Sequence, residues 1–252
     1  MSHTTDVLTA FAGSTARLGV GTRVVGHART PEKLLELYDF EACPFCRKAR
    51  EALTLLDLPA MIYPCPKGGT RYRPQVKSEG GKAQFPYLKD PNTGRALYES
   101  GDIVDYLFET YGKPGARPPA LLGVAPLANV GSFLASAVRP GSGAKVRPSR
   151  APEKPLILYS FEASPFCRIV RETLCELEIA YELRNVGKGN ASEFLPADQQ
   201  EKRGIKPGTK NRQDFVAHSG KMMVPYLIDP NTGIEMFESA DIKKYLLQTY
   251  GA

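Results

Sequence analysis

The sequence lacks the features that mark several common classes of protein. It has five cysteines, an odd number that argues against a secreted disulfide scaffold and for a reducing compartment. The N terminus carries no signal-peptide pattern, so we expect a cytoplasmic protein, or one of an organelle stroma. Lysines and arginines are spread along the chain without a stripe of interleaved aromatic residues, so we expect no nucleic-acid partner. The net charge of +6 remains compatible with a small anionic ligand.

Two further stretches resemble targeting or membrane segments in composition. Residues 1–31 contain one acid, Asp6, among many serines, threonines and arginines, as a transit peptide does. Part of this stretch, FAGSTARLGVGTRVVGHARTPEK, is echoed inside the chain by FLASAVRPGSGAKVRPSRAPEK, and the echo favours a structural segment. Residues 118–138 have no charged side chain, but Pro126, Asn129 and several glycines weaken a membrane span. We expect an inter-domain connector with one short helix and no membrane contact; an interfacial helix is the alternative.

An internal repeat is the strongest signal in the sequence. The segment DFEACPFCRKARE returns as SFEASPFCRIVRE at an offset of 121 residues. Further along, FPYLKDPNTGRALYESGDIVDYLFETYG matches VPYLIDPNTGIEMFESADIKKYLLQTYG at an offset of 139. The second copy has therefore gained the difference between the two offsets, 18 residues, within residues 187–221. This polar, glycine-rich stretch predicts a loop insertion.

Each copy predicts a small mixed α/β unit in the order strand, helix, strand, loop, strand, strand and helix. LLELYDF and LILYSF predict the first strands, and Pro44 and Pro165 suit the first turn of the helix that follows. PNTG predicts the hairpin turn between the last two strands. We therefore expect the α/β fold class, with two tandem domains that pack on each other. The expected boundaries are 1–33 for a helical or irregular preamble, 34–113 for the first domain, 114–154 for a connector and 155–252 for the second domain.

The CPFC tetrapeptide places a cysteine just before a helix. The free N–H groups and the dipole of a first helical turn stabilise a thiolate, and Arg47, Lys48 and Arg50 add positive potential. Cys43 is therefore the predicted nucleophile, at the exposed first turn. Cys46, one helical turn inside, is the predicted resolving thiol; resolution of a mixed disulfide by a second thiol molecule is the alternative. An interior position of Cys43, or an ordinary pKa, would contradict this interpretation.

Zinc sites also use C-x-x-C pairs. A zinc site needs a second ligand pair, whereas Cys65 and Cys175 stand alone and the three histidines show no ligand spacing. We therefore expect no metal ion, and we interpret Cys65 and Cys175 as packing residues.

Three motifs, in the same order in both copies, carry a resemblance to a known family. CPFC or SPFC at a strand-to-helix turn, a proline before a strand, and Glu-Ser before a helix resemble the glutathione-binding N-terminal domain of glutathione S-transferases. The CPFC form is also similar to glutaredoxins, omega-class transferases and the membrane-associated prostaglandin E synthase. The resemblance implies two thioredoxin-like domains, each a mixed four-stranded sheet flanked by helices, with glutathione as co-substrate. Transferases of this family carry an all-helical domain after the glutathione domain, and we expect none in this chain.

The resemblance also implies a set of glutathione-binding residues. A cis-proline would direct the backbone of the residue before it at glutathione's cysteinyl unit, the Glu-Ser pair would hold the γ-glutamyl end, and a lysine before the proline would meet the glycyl carboxylate. These residues are Phe85, Pro86, Glu99, Ser100 and Lys82 in the first copy, and Val224, Pro225, Glu238, Ser239 and Lys221 in the second. Singly, such a proline is often an edge feature and Glu-Ser a helix cap; their joint recurrence favours a ligand site.

The second copy differs at the nucleophile. Ser164 replaces the cysteine, while Cys167 keeps the position of the resolving thiol, and a hydroxyl cannot form a disulfide. The sequence therefore predicts a glutathione-dependent thiol–disulfide oxidoreductase that acts through mixed disulfides, on protein disulfides or glutathionylated proteins, with a second, redox-deficient domain. A competing hypothesis has Ser164 hydrogen-bond a bound glutathione thiolate. Two other functions stay open: a glutathione transferase or isomerase with a pocket between the domains, and a non-catalytic glutathione-binding scaffold. The oligomeric state stays unknown.

Overall fold

The computed structural model describes residues 3–15, 19–124, 129–130, 132–134, 139, 141–195 and 197–252. The strands of this part are β1 (Leu35–Asp39), β2 (Ala60–Pro64), β3 (Tyr87–Asp90), β4 (Arg95–Leu97), β5 (Leu156–Ser160), β6 (Tyr181–Asn185), β7 (Tyr226–Asp229) and β8 (Ile234–Phe237). Its α-helices are α1 (His3–Thr15), α2 (Pro44–Leu55), α3 (Arg73–Gly80), α4 (Ser100–Tyr111), α5 (Ala120–Gly123), α6 (Pro165–Glu176), α7 (Ala197–Lys202), α8 (Lys210–Ser219) and α9 (Ser239–Tyr250). Residues 129–130 and 132–134 are also helical.

The strands form one eight-stranded sheet in the order β4-β3-β1-β2-β6-β5-β7-β8. Strands β1 and β2 are parallel because α2 crosses between them, and β3 and β4 form an antiparallel hairpin beside β1. The last four strands repeat this arrangement. We call β1–β4 with α2–α4 the N-terminal unit, and β5–β8 with α6–α9 the C-terminal unit. Each is a mixed four-stranded sheet with flanking helices, so the prediction of two tandem thioredoxin-like domains is confirmed.

The two units join edge to edge through β2 and β6. These strands are antiparallel, and Met61 lies opposite Glu182. The offset of 121 residues makes Met61 and Glu182 counterparts in the repeat, so an approximate twofold axis passes through this pair. The pairing closes one edge of each half-sheet, which would otherwise expose unpaired N–H and C=O groups.

A shared core lies beneath the sheet. Ala49 and Leu53 of α2 and its C-cap residue Leu56 follow one another at helical spacing and are fully buried. The same hydrophobic cluster includes Ile62 of β2 and Leu183 of β6, so it runs across the junction between the units. Each fully buried leucine contributes about 1.5–3 kcal/mol of transfer free energy to this core.

The segment that precedes each unit contacts the other unit: the preamble reaches the C-terminal unit, and Gly143 of the connector reaches the N-terminal unit at Ala42. Helix α1, which precedes the N-terminal unit, packs on α6 of the C-terminal unit. Arg139, from the connector, ties this packing together: its Nη2 lies 3.1 Å from Asp6 Oδ1 and 2.6 Å from Glu172 Oε2. Part of the uncharged stretch at 118–138 lies outside the described residues. Among the described helices, none combines the length and the apolar composition needed to cross a bilayer.

The prediction of a loop without helices between the second and third strands is wrong in both units. In the N-terminal unit this connection contains α3, and in the C-terminal unit it contains a 3₁₀ turn (Ala191–Phe194), α7 and α8. Side-chain caps explain the helices of the polar insertion. Asn190 and Glu193 form a capping box around the 3₁₀ turn, and Thr209 Oγ1 accepts a hydrogen bond from Arg212 N at the start of α8.

Candidate active site

Cys43 is the N-cap residue of α2. Its backbone is extended, Pro44 follows in the first turn, and its Sγ accepts a hydrogen bond from Cys46 N at 3.3 Å. A hydrogen bond from the Cys46 thiol is the largest cause that lowers the pKa of Cys43; burial opposes it, and the N–H groups of Cys46 and Phe45 add to it. The sulfur therefore sits where the open end of a helix stabilises an anion.

The other four cysteines have raised pKa values. Cys46 is fully buried, and burial raises its pKa well above the ordinary value. Burial likewise raises the pKa of Cys65, Cys167 and Cys175. All five thiols are free. Cys43 is thus the cysteine whose surroundings favour the thiolate.

The expectation that Cys43 lies at an exposed turn is wrong, because this residue is only 4% exposed. Its burial counts against the interpretation of Cys43 as the nucleophile, whereas its lowered pKa supports that interpretation. The connector covers the turn. Ala42 N donates a hydrogen bond to Gly143 O at 3.4 Å, and the ring of Phe133 meets Phe45 edge-on with centroids 5.6 Å apart. Gly143 has a φ of +68°, and a Cβ there would lie 2.7 Å from the side chain of Glu41. Glycine is therefore required for this close approach.

Ser164 reproduces the same geometry in the C-terminal unit. It is the N-cap residue of α6, its Oγ accepts from Cys167 N at 3.3 Å, and it is equally buried. Here the preamble supplies the cover, because Ala163 N donates to Gly21 O at 3.2 Å. The two turns thus share one fold and one kind of cover, and differ in whether sulfur or oxygen occupies the helix end.

The prolines predicted to face these turns, Pro86 and Pro225, lie immediately before β3 and β7. The Phe85–Pro86 and Val224–Pro225 peptide bonds are both cis. The ring of Phe85 packs edge-on against Phe40, with centroids 6.3 Å apart, and Phe40 O accepts a hydrogen bond from Cys43 N at 3.0 Å. The residue before the first proline therefore lies beside the cysteine turn.

Glu99 and Glu238 adopt an uncommon backbone conformation. Their φ angles are +60° and +69°, a region that non-glycine residues seldom occupy and that clusters at functional sites. They are the N-cap residues of α4 and α9 but make no side-chain cap hydrogen bond. The helices begin one residue later, at Ser100 and Ser239.

The polar atoms next to these glutamates differ between the units. In the N-terminal unit, Gln84 Nε2 donates a hydrogen bond to Glu99 Oε1. In the C-terminal unit, Ser239 Oγ is buried and has no hydrogen-bond partner in the part of the chain that the structure describes. Buried hydroxyls are usually paired, so Ser239 is suited to a polar ligand group at this position.

The two predicted lysines are engaged in equivalent ways. Lys82 Nζ lies 4.7 Å from the ring centroid of Tyr98, and Lys221 Nζ lies 4.3 Å from that of Phe237. These contacts hold each ammonium group over an aromatic ring, that of Tyr98 just after β4 and that of Phe237 at the end of β8. No distance ties either lysine to the turns at Cys43 or Ser164, so their role stays a prediction.

Arg73, which the sequence reasoning missed, lies closer to the site. Its guanidinium stacks 4.7 Å from the ring centroid of Phe85, and its Nε donates to Pro66 O at 2.9 Å. Among the described residues, no carboxylate forms an ion pair with Arg73. Its counterpart Arg212 is instead paired with Glu193 at 2.5 Å. The offset of 139 aligns these two arginines, and this signal could have identified Arg73 from the sequence.

The described residues include no group of three or more histidine, cysteine, aspartate or glutamate side chains that could hold a metal ion.

The comparison with protein families agrees with this geometry. The model of the glutathione S-transferase N-terminal domain matches residues 37–115 and again residues 158–252. The chain belongs to this family. The two matches show a tandem repeat of the domain, in a family of glutathione-related thiol oxidoreductases and transferases whose N-terminal domain binds glutathione. Searches of the curated proteins and of the solved structures found no match.

Proposed function

We propose that this protein is a glutathione-dependent thiol–disulfide oxidoreductase in which Cys43 is the nucleophile. The observation that carries this proposal is the position of the Cys43 sulfur at the N-terminus of α2, where hydrogen bonds lower its pKa. A larger thiolate fraction at neutral pH makes a cysteine a better attacking group in disulfide exchange.

The reaction proceeds through a mixed disulfide with glutathione. The Cys43 thiolate attacks the glutathionyl sulfur of a glutathionylated protein; a Cys43–glutathione disulfide forms, and the protein leaves as its thiolate. The thiolate of a second glutathione then attacks the glutathionyl sulfur. This step releases glutathione disulfide and restores the Cys43 thiolate.

Resolution by the second glutathione is favoured over resolution by Cys46. Cys46 is fully buried, and its raised pKa keeps it protonated, so it is a poor attacking group. Its thiol instead donates a hydrogen bond to Cys43. The role of Cys46 is therefore to stabilise the anion between turnovers.

The burial of Cys43 selects the substrate. Because only 4% of Cys43 is exposed, disulfide exchange at its sulfur requires the cover at Gly143 to open. A slender tripeptide needs a smaller opening than a disulfide within a folded protein. Deglutathionylation, in which the attacked sulfur belongs to glutathione, fits this access better than reduction of protein disulfides.

Glutathione is held between the start of β3 and the start of α4. The backbone of Phe85 pairs with the cysteinyl unit, and Glu99 and Ser100 bind the γ-glutamyl end, because a carboxylate can pair with its α-ammonium and a helix N-terminus with its α-carboxylate. Arg73, stacked on Phe85 and without an acidic partner among the described residues, meets the glycyl carboxylate. This assignment replaces Lys82 with Arg73.

The C-terminal unit binds glutathione or supports the fold without exchanging disulfides. Ser164 holds the nucleophile's position but cannot form a disulfide, and Cys167 is fully buried with a raised pKa. The insertion also supplies Glu193, which neutralises Arg212, the counterpart of Arg73.

A comparison of three variants tests the proposal, with a glutathionylated peptide as substrate and glutathione turnover as the readout. Cys43→Ser is expected to abolish turnover, whereas Ser164→Ala and Cys46→Ser are expected to retain it. If Ser164→Ala abolishes turnover and Cys43→Ser does not, the assignment is wrong. Conjugation of a chlorinated aromatic compound that depends on Ser164 alone would identify a transferase instead.

A further inference from the structure

A cavity lies at the C-terminal end of α2, where the preamble and α8 meet the N-terminal unit. It has a volume of about 440 Å³, within the range of small-molecule sites. Its wall includes Asp57, which follows α2, His27 of the preamble and Asn211 of α8. The residues proposed to bind glutathione in either unit do not line it, so it is a separate place on the molecule.

One carboxylate oxygen in this wall has no partner. Asp57 is 5% exposed, and its Oδ1 is buried and accepts no hydrogen bond within the described part of the chain. Burial raises the pKa of Asp57 to about 7, because hydrogen bonds from Asn211 and Thr209 offset the desolvation only in part. A buried charge without a full set of donors is costly, and a donor placed in the cavity would relieve that cost.

The C-terminal unit shows what occupies the equivalent position there. Glu178, the counterpart of Asp57, accepts hydrogen bonds at both carboxylate oxygens, from Thr70 N and Arg71 N. The guanidinium of Arg71 lies at the same residue, because its Nη1 donates to Glu178 O at 2.9 Å and to Leu177 O at 2.7 Å. A cation with several N–H donors is thus part of the fold in this half of the molecule.

The N-terminal unit has no such cation of its own at Asp57. By the offset of 139 residues, Lys210 is the counterpart of Arg71. Its Nζ pairs with Asp214 at 2.5 Å, and its side chain is 83% exposed, so it extends into solvent. Among the described residues, none forms an ion pair with Asp57. Since Asp57 and Lys210 both line the cavity, the cavity corresponds to the place that a guanidinium fills in the other unit.

We propose that this cavity binds a small organic cation with a guanidinium group. The N–H groups of the ligand donate to Asp57 Oδ1, and a guanidinium suits this oxygen because its bonds to a carboxylate are charge-assisted. The apolar part of the ligand packs against Val24 and Pro59. The other cations of the wall, Lys113 and Lys210, are exposed, so solvent weakens their repulsion of the ligand. This binding is independent of the proposed disulfide exchange.

A pair of probes of matched shape tests this assignment on the full chain at pH 8, where the Asp57 carboxyl group is mostly ionised. The cationic probe is phenylguanidine, and the neutral probe is phenylurea. In ligand-observed NMR titrations, phenylguanidine should bind about tenfold more tightly than phenylurea, the size of a hydrogen bond to a charged group. Asp57→Asn should weaken phenylguanidine about tenfold and should leave phenylurea nearly unaffected. Saturating phenylguanidine should raise the Tm of the wild type and leave that of Asp57→Asn nearly unchanged.

Two controls separate this site from others. Glu178→Gln changes the counterpart carboxylate, whose oxygens already have backbone donors, and should leave both affinities unchanged. Cys43→Ser should do the same while it abolishes disulfide exchange, so the two proposals hold or fail separately.

Circular dichroism verifies that each variant is folded. Asp57→Gly, in which glycine suits the φ of +56°, replaces Asp57→Asn if that variant does not fold. The assignment is overturned if phenylguanidine does not bind, if phenylurea binds equally tightly, or if the Asp57 variant binds phenylguanidine as the wild type does. It is also overturned if Glu178→Gln weakens phenylguanidine as much as the Asp57 variant.

Discussion

Arg50 of the N-terminal unit and Glu162 of the C-terminal unit form an ion pair across the interface, with Nε 3.0 Å from Oε2 and both side chains about 1% exposed. The repeat provides a counterpart ion pair, related by the approximate twofold axis, in which Arg171 Nη2 lies 3.0 Å from Glu41 Oε1. Glu162 also accepts from Arg171 at 3.1 Å. Four buried charges, two from each unit, therefore meet near the approximate twofold axis. They fix the position of the turn before Cys43 relative to the turn before Ser164.

Removal of one carboxylate from this cluster should be strongly destabilising. Glu162→Gln leaves two buried guanidinium groups short of a negative partner, and the loss of one member of a buried pair costs about 3–5 kcal/mol. Burial alone would raise the pKa of Glu162, but Arg171 and Arg50 lower it to about 2. Its contribution is therefore complete above the ordinary carboxyl pKa near 4 and is lost as the pH falls towards 2. Urea unfolding at pH 7 and pH 3 measures both effects.

An exposed ion pair supplies the control for this measurement. Lys210 and Asp214 lie 2.5 Å apart with side chains 83% and 62% exposed, and such pairs contribute only about 0–1 kcal/mol. Lys210→Gln should therefore leave the urea midpoint nearly unchanged. Equal losses in Glu162→Gln and Lys210→Gln would contradict a role for the buried cluster.

The reactivity of Cys43 should depend on the thiol of Cys46. Because the hydrogen bond from that thiol is the largest cause that lowers the pKa of Cys43, Cys46→Ala should raise this pKa towards the ordinary value of a cysteine. The rate of iodoacetamide labelling as a function of pH, followed at Cys43 by mass spectrometry, gives the pKa. Cys167→Ala removes the equivalent thiol of the other unit and should leave the titration of Cys43 in place. An unshifted profile in Cys46→Ala would refute the hydrogen bond as the cause.

The features that could be predicted from the sequence are those that depend on residues close together in the chain, such as helix starts and the order of strands and helices. The helices begin at Pro44 and Pro165 as expected, since proline fits a first turn, and the alternation of strands and helices in the repeat specified the α/β class. The strand β2 was also predicted. Its pairing with β6 was not, because the choice of a partner strand depends on contacts distant in sequence.

The burial of the site depends on the same kind of distant contact. Cys43 is covered by Gly143, 100 residues away in the chain, and Ser164 by Gly21. Periodicity carries no information about such a cover. The helices of the insertion were missed for another reason: their caps, such as Thr209, stabilise a polar segment whose apolar periodicity is weak.

Arg73 should determine the affinity for glutathione. Arg73→Gln removes the guanidinium proposed to pair with the glycyl carboxylate, and the loss of such a charge-assisted pair corresponds to about a tenfold increase in KM for glutathione. The kcat should change little, because the reacting sulfur is unaffected. Lys77→Gln on the exposed face of the same helix is the matched control and should leave KM unchanged. If Arg73→Gln has the KM of the wild type, Lys82 is favoured as the partner of the glycyl carboxylate of glutathione.

Asp57 should make the protein less stable as the pH rises. Its carboxyl group is buried, and Oδ1 has no hydrogen-bond partner in the described part of the chain. Burial raises the pKa of Asp57 to about 7. A raised folded-state pKa contributes stability that is complete below the ordinary value near 4 and is lost as the pH passes through 7. Asp57→Asn should therefore stabilise the protein at pH 8 by roughly 2–4 kcal/mol, and asparagine also tolerates the φ of +56° at this position.

The repeat provides a control of opposite sign. Glu178, the counterpart of Asp57, accepts hydrogen bonds from Thr70 N at 3.1 Å and Arg71 N at 3.2 Å. The two N–H groups donate to different carboxylate oxygens of Glu178, and in glutamine one of these positions is an NH₂ group, which cannot accept. Glu178→Gln should lose stability at pH 8 under the conditions in which Asp57→Asn gains it, as thermal unfolding of the two variants would show. If both variants shift in the same direction, the stability depends on net charge at these loops rather than on whether each carboxylate has partners.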